Sequence, residues 1–468
     1  MADNIHYKSA LELKELIRKK KISPVEVVKQ SLKRMEKLEP TLNCMVTPTP
    51  ELALEAARAA EKAVMKRGTK LGLLHGLPIS VKDLITVAGV KCAFGSRTAA
   101  TNIAAVDAPS VERVKAHGAC IIGKTTTSEF GCKAVGDSPL TGITPNAWNL
   151  KKTPGGSSCG AASSIAAGYT PFGLGTDGGG SVRIPGSLTG LFAIKANFSR
   201  VPVFPVSATP TLAHVGPLAR TVRDAALLLT AVAGHDRRDA FSVAGPVPDF
   251  LAACDKPVKR MKLAWSPTYG YARPTKEVVE ITEKAAKTFE ELGCTVELVE
   301  KVMEEDPVPL WIAEFYAGVG TRLKKQLKET PEILDPHVAG VLAKALDQTL
   351  EEYYTKVFQR YEFREKMRQF FEKYDLLLSP TLPVPAFDVG LPVPPELPDR
   401  NIVSWVYYTY PYNLTGQPAA SIPAGFTKSG LPVGLQLVAK INKETDIFRA
   451  AAAFEAARPW AHKRPPIA

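Results

Sequence analysis

The 468-residue chain has no apolar run near the roughly 20 uncharged residues that a membrane span requires. Its seven cysteines include no C-x-x-C pair, and their odd number argues against a disulfide framework, so free thiols in a reducing compartment are expected. Internal repeats, low-complexity linkers and sharp composition breaks are absent as well, which leaves no ground for dividing the chain into tethered modules. The opening stretch, MADNIHYKSALELKELIRKKK, lacks the apolar core and small-residue cleavage site of a secretory signal, so a cytoplasmic location is expected. Histidine is scarce, with seven in all, and no His/Cys cluster has metal-ligand spacing.

What is present is ordinary in bulk and unusual in one place. Hydrophobic residues make up 45% of the chain, enough for a large buried core. The excess of 59 Lys and Arg over 47 Asp and Glu is spread along the chain and interleaved with glutamates, as in EKAVMKR and REKMRQFFEK. That pattern describes solvated helix faces, and no basic-plus-aromatic motif points to nucleic acid. Residues 8–66 show apolar residues at helical spacing, with Ser23 and Pro24 placed as N-cap and first helical residue. Beyond them, β-branched segments alternate with amphipathic stretches, and SIPAGF…LPVGLQLVA reads as a hairpin. The reading is a helical N-terminal extension, 1–68, packed on a single large α/β domain, 69–468. Its central sheet is expected to be mixed, mostly parallel and flanked by helices.

The unusual place is PGGSSCGAASSIAAGYTPFGLGTDGGGSVRIP, which ends at Pro185. Ser181 follows Gly178, Gly179 and Gly180, a loop whose N–H groups can receive a developing negative charge beside a nucleophile. Two motif matches inside it fail their context tests. The G-x-G-x-x-G from Gly173 runs into Pro185 instead of opening a helix, and no acid lies about 20 residues on. The G-x-S-x-G from Gly156 follows a poor strand, and His337 and His462 are not credibly set as its base. A serine–lysine arrangement remains. Lys82 stands in GLPISVKDLI, where burial would lower its pKa and free a neutral amine as base. A snorkelling lysine, or one paired with Asp83, fits the same residues.

GLPISVKD, GKTTTSEFG, PNAWN, TPGGSSCG, GLGTDGGGSVRIP and GLFAIK, in this order, resemble the amidase signature family. HVGPLARTVRD, YDLLLSPTLP, YNLTGQPAASIP and GLPVGLQL extend the resemblance over essentially the whole chain. The resemblance implies an amidohydrolase with a Ser–cis-Ser–Lys set: Ser181 as nucleophile, Ser157 as bridging serine after a cis bond, and Lys82 as base. It implies an oxyanion hole from Gly178, Gly179, Gly180 and Ser181, and substrate contacts at Gly131, Ser157 and Thr176. Ser158, Asp177 and Arg183 become supporting groups. No cofactor and no metal is implied, and the expected partner is a small amide or carbamate (urethane) substrate, with the protein a monomer or homodimer.

Two positions depart from the family pattern: Cys159 replaces a usual glycine, and Gly178 replaces a usual larger residue. The aromatic residues from Trp311 to Tyr316, with Trp405, Tyr407, Tyr408, Tyr410 and Tyr412, are expected to supply part of the substrate channel. They favour an apolar or aryl substrate. The alternative is the glutamine-hydrolysing subunit of a tRNA-dependent amidotransferase, against which Ile184 stands where those subunits carry glutamine.

Overall fold

The computed structural model describes residues 2–467. Its strands, in chain order, are β1 (Met45–Pro48), β2 (Pro78–Lys82), β3 (Cys120–Thr125), β4 (Asp137–Ser138), β5 (Gly142–Ile143), β6 (Phe172–Asp177) and β7 (Phe192–Lys195). Then come β8 (His214–Ala219), β9 (Lys262–Trp265), β10 (Thr295–Leu298), β11 (Leu376–Pro380), β12 (Ala419–Phe426) and β13 (Pro432–Ala439). Eleven of them form one sheet in the order β1-β3-β2-β6-β8-β7-β12-β13-β11-β9-β10, and β4 pairs with β5 apart from it.

The sheet is mixed and flanked by helices, as the sequence predicts. Its antiparallel share is larger than expected: six pairings are antiparallel and four parallel. For one of the antiparallel pairs the reason is a short connection. β12 and β13 are joined by a tight turn closed by Thr427 and Leu431, and a connection that short can only return antiparallel. No helix among the described residues is long and apolar enough to cross a membrane.

The N-terminal helices form where their caps say. Ser23 and Glu26 make a reciprocal capping box at the start of Pro24–Leu42, with Pro24 in the first turn. Residues 2–68 do more than pack on the core. Asn43 takes a left-handed conformation that ends this helix, and the following segment becomes β1, the edge strand paired with β3. Leu13, Ile17 and Val27 share a cluster with Ile79 and Val81, while Leu38, Leu42 and Ala57 share another with Ile122.

Strand alternation sorts the core onto two faces. Ile121, Phe192 and Ile194 enter one cluster, whereas Cys120, Ile122 and Ala193 enter another. In β2 the same alternation sends Ile79 and Val81 to the first cluster and leaves Lys82 out of register with them. Lys82 ends β2, and Thr176 and Asp177 end its parallel neighbour β6. The carboxyl ends of adjacent parallel strands, beside an antiparallel one, are where open α/β sheets leave a crevice.

Candidate active site

Lys82 is fully buried, and its Nζ lies 2.7 Å from Ser157 Oγ, 2.8 Å from Thr176 Oγ1 and 3.5 Å from the Thr176 carbonyl. None of these partners is charged. Asp83 is not its counter-ion, because Asp83 pairs with Lys124 and ties down the N–H groups of Ala93 and Gly95. Burial therefore pushes Lys82 down from the usual lysine range to about 7, with Cys159 and Asp177 opposing only in part. A neutral amine offers two N–H groups and one lone pair. Thr176 supplies acceptors for the first, and the Ser157 hydroxyl can donate to the second.

Ser157 sits on a glycine-rich loop after a cis Gly156–Ser157 bond, just before the helix Cys159–Ala166. Its neighbour Ser158 joins two loops: its N–H donates to the Ser181 carbonyl at 3.2 Å and its hydroxyl to the Thr176 carbonyl at 3.3 Å. Cys159 is buried against Thr126, its thiol pushed up by burial, and it reaches none of the hydroxyls above.

The loop that carries Ser181 is drawn into shape by Asp177. This carboxylate accepts the N–H of Gly180 at 2.8 Å and of Val182 at 3.3 Å. Arg183 meets it with two further bonds, at 3.0 and 2.9 Å, and Asn413 donates to it at 2.9 Å. Burial alone would raise Asp177, but the Arg183 guanidinium and these bonds outweigh it and hold the carboxyl well below the usual range. Arg183 in turn donates to the Thr409 carbonyl, Gln436 and Asn413, so this buried ion pair is saturated. Gly180 thus leaves the expected oxyanion set, because its N–H is already spent. Among the described residues no acceptor is found for the N–H groups of Gly178, Gly179 and Ser181.

A cavity of about 400 Å³ opens over this turn, with Ser157, Thr176, Gly131, Gly178 and the partly exposed Ser181 in its wall. The profile of the family described as Amidase matches residues 26–448. The chain belongs to the amidase signature family. An acylamidase of Rhodococcus erythropolis is 33% identical over 470 residues, covering 99% of this chain and 98% of that protein. A glutamyl-tRNA(Gln) amidotransferase subunit of Moorella thermoacetica is 35% identical over 490 residues, covering 99% of each. Among solved structures, a bacterial aryl acylamidase of the amidase signature family superimposes with a TM-score of 0.92 at 29% identity, covering 98% of each chain.

In this amidase signature protein the aromatic residues are divided otherwise than the sequence suggests. Trp405, Tyr407, Tyr408, Tyr410 and Tyr412 are fully buried in the core and stay out of the cavity wall. Of the group from Trp311 to Tyr316 only Phe315 faces the cavity, stacked on Trp311 with ring centroids 4.3 Å apart. The remaining aromatic wall is Phe94, Phe130 and Phe204. Phe94 and Phe130 carried no periodic signal, since one stands in a turn and the other in the single 3-10 turn Glu129–Gly131, both at positive φ. Asn413, Gln436 and Thr409 were likewise missed as groups of the site. Asn413 and Gln436 lie inside family blocks whose role no local pattern reveals.

Proposed function

We propose that this protein hydrolyses carbon–nitrogen bonds of apolar or aryl amides, anilides and carbamates through an acyl-enzyme at Ser181. The observation that carries the reading is the contact of a buried, charge-unpaired Lys82 with Ser157, at the foot of the cavity that exposes Ser181. Ser181 Oγ attacks the carbonyl carbon, and its proton passes to Ser157, which hands its own to neutral Lys82. The N–H groups of Gly178, Gly179 and Ser181 receive the charge on the carbonyl oxygen. Ser157 then returns a proton to the leaving nitrogen, without which an amine does not depart. Water enters by the reverse relay, and Gly131 and Thr176 flank the substrate.

Phenylalanine walls support an apolar or aryl substrate, in line with the relatives named acylamidase and aryl acylamidase. They count against the amidotransferase reading despite the relatives that carry that name. The ammonium of free glutamine would need a carboxylate, and the only one in the cavity wall among the described residues, Asp177, is neutralised by Arg183. Ile184, where a glutamine is expected in those subunits, is buried in the core.

The test is a hydrolysis panel of p-nitroanilides, aryl carbamates, primary amides and glutamine, with Ser181→Ala as control. Turnover of anilides or carbamates that vanishes in Ser181→Ala is expected. Turnover retained in that variant removes Ser181 as nucleophile, and activity on glutamine alone, with added partners, favours the amidotransferase.

A further inference from the structure

Three successive carbonyls of the Ser181 turn are each held from outside. The Asp177 carbonyl accepts from Asn413 Nδ2 at 3.0 Å, and His214 Nδ1 faces it at 3.2 Å. The Gly178 carbonyl accepts from Trp311 Nε1 at 2.7 Å, and the Gly179 carbonyl from Thr409 Oγ1 at 2.6 Å. A peptide unit is planar and trans, so holding its C=O dictates where the N–H of the next residue points, on the opposite side. For the Gly179–Gly180 unit that N–H meets Asp177. For the Gly178–Gly179 unit, clamped by Trp311, no acceptor is found among the described residues.

We propose that Trp311 is a positioning residue for the hydrolysis. By holding the Gly178 carbonyl it aims the Gly179 N–H at the place beside Ser181 where the oxyanion forms. The inference rests on Ser181 being the nucleophile. It also accounts for Gly178, the departure from the family pattern noted in the sequence. A Cβ there would lie 2.6 Å from Phe315 Cε2, and one on Gly179 would lie 2.8 Å from the Trp311 ring. Only side-chain-free residues let the stacked Trp311–Phe315 pair close onto the turn. Trp311 comes from a helix, Val308–Arg322, that lies 133 residues away in sequence from the carbonyl it holds.

Trp311→Phe keeps a ring against Phe315 and removes the donor. The expected result is a loss of about tenfold or more in kcat on a p-nitroanilide, with KM within about twofold of wild type, as for an interaction felt in the transition state. A trifluoromethyl ketone, which Ser181 adds to as a hemiketal oxyanion, weakens by the same factor as kcat/KM. The matching carboxamide binds Ser181→Ala equally well with or without Trp311→Phe.

A readout free of turnover is labelling by a fluorophosphonate. Ser181 Oγ forms the P–O bond as the P–F bond breaks and fluoride leaves, and the Ser181 proton passes to Ser157, whose own goes to neutral Lys82; the rate, followed by intact mass, slows in Trp311→Phe. Trp311→His, which retains a ring N–H, recovers part of both rates. Unchanged kcat and labelling in Trp311→Phe overturn the proposal, as does a loss confined to KM or a trifluoromethyl ketone affinity that does not follow kcat/KM. Label on a residue other than Ser181 overturns the nucleophile reading, and the inference with it.

Discussion

Lys82 Nζ and Ser157 Oγ lie 2.7 Å apart across 75 residues of sequence, the lysine fully buried and the serine at the cavity wall. None of the lysine's hydrogen-bond partners is charged, and that sets its chemistry. With a carboxylate in Ser157's place the amine would remain an ammonium and could accept nothing.

The first consequence is a pH profile. Lys82 has to be neutral to act, and its pKa is brought down to about 7. kcat/KM is expected to rise with pH through about 7 and then level off. Lys82→Met should remove that limb along with most of the activity. The same rising limb in the variant would dismiss Lys82 as the base.

The second concerns stability. The folded state binds a proton at Lys82 only below about 7, whereas the unfolded chain keeps one up to near 10.5. Across that window the unfolded state binds more protons, so the contribution of Lys82 to stability is full above 10.5 and is lost as pH falls toward 7. Lys82→Met should therefore melt higher than wild type near neutrality, by a few kcal/mol in order of magnitude, with the gap narrowing in alkali. Thermal melts at pH steps across the window check this; a gap that widens with pH would contradict it.

Asp177 and Arg183 form an ion pair with both side chains fully buried. Asp177→Ala leaves the guanidinium buried without its counter-ion and should cost about 3–5 kcal/mol in urea unfolding. Adding Arg183→Met to it should recover part of that loss, because the stranded charge is then gone. If the double variant is no more stable than Asp177→Ala, the ion pair is not what holds the turn.

The phenylalanine wall predicts selectivity. Phe204→Ala should raise KM for p-nitroanilides about fivefold while leaving KM for acetamide nearly unchanged, since Phe204 lines the cavity and acetamide has little apolar surface to bury against a ring. Steady-state kinetics on the two substrates decide it. Equal effects on both would mean that Phe204 shapes the fold and not the selectivity.

Much of the architecture was legible in advance, and the misses have physical causes. Ser23 and Pro24 announce their helix because capping is a local affair of a few backbone groups. β1 was invisible because a four-residue strand between two helices has no periodicity of its own and exists by pairing with β3. Tyr407 to Tyr412 looked like a binding face for want of any sign of depth. In the fold they fill the core, where Tyr408 donates to the Pro267 carbonyl and Tyr410 to Asp306.

By itself the sequence determined which chemical groups are available: a lysine in an apolar strand, two glycine-flanked serines 24 residues apart, and no histidine suited to serve as base. Residue type and local spacing carry that information. Only the tertiary structure decided how those groups behave. Burial lowers Lys82, Asp177 takes the N–H of Gly180 out of use, and Trp311 closes on a turn that has no side chains to keep it off. Desolvation and hydrogen-bond competition depend on what else arrives at the same point in space, and here Trp311 and Asn413 arrive from 133 and 236 residues further along the chain.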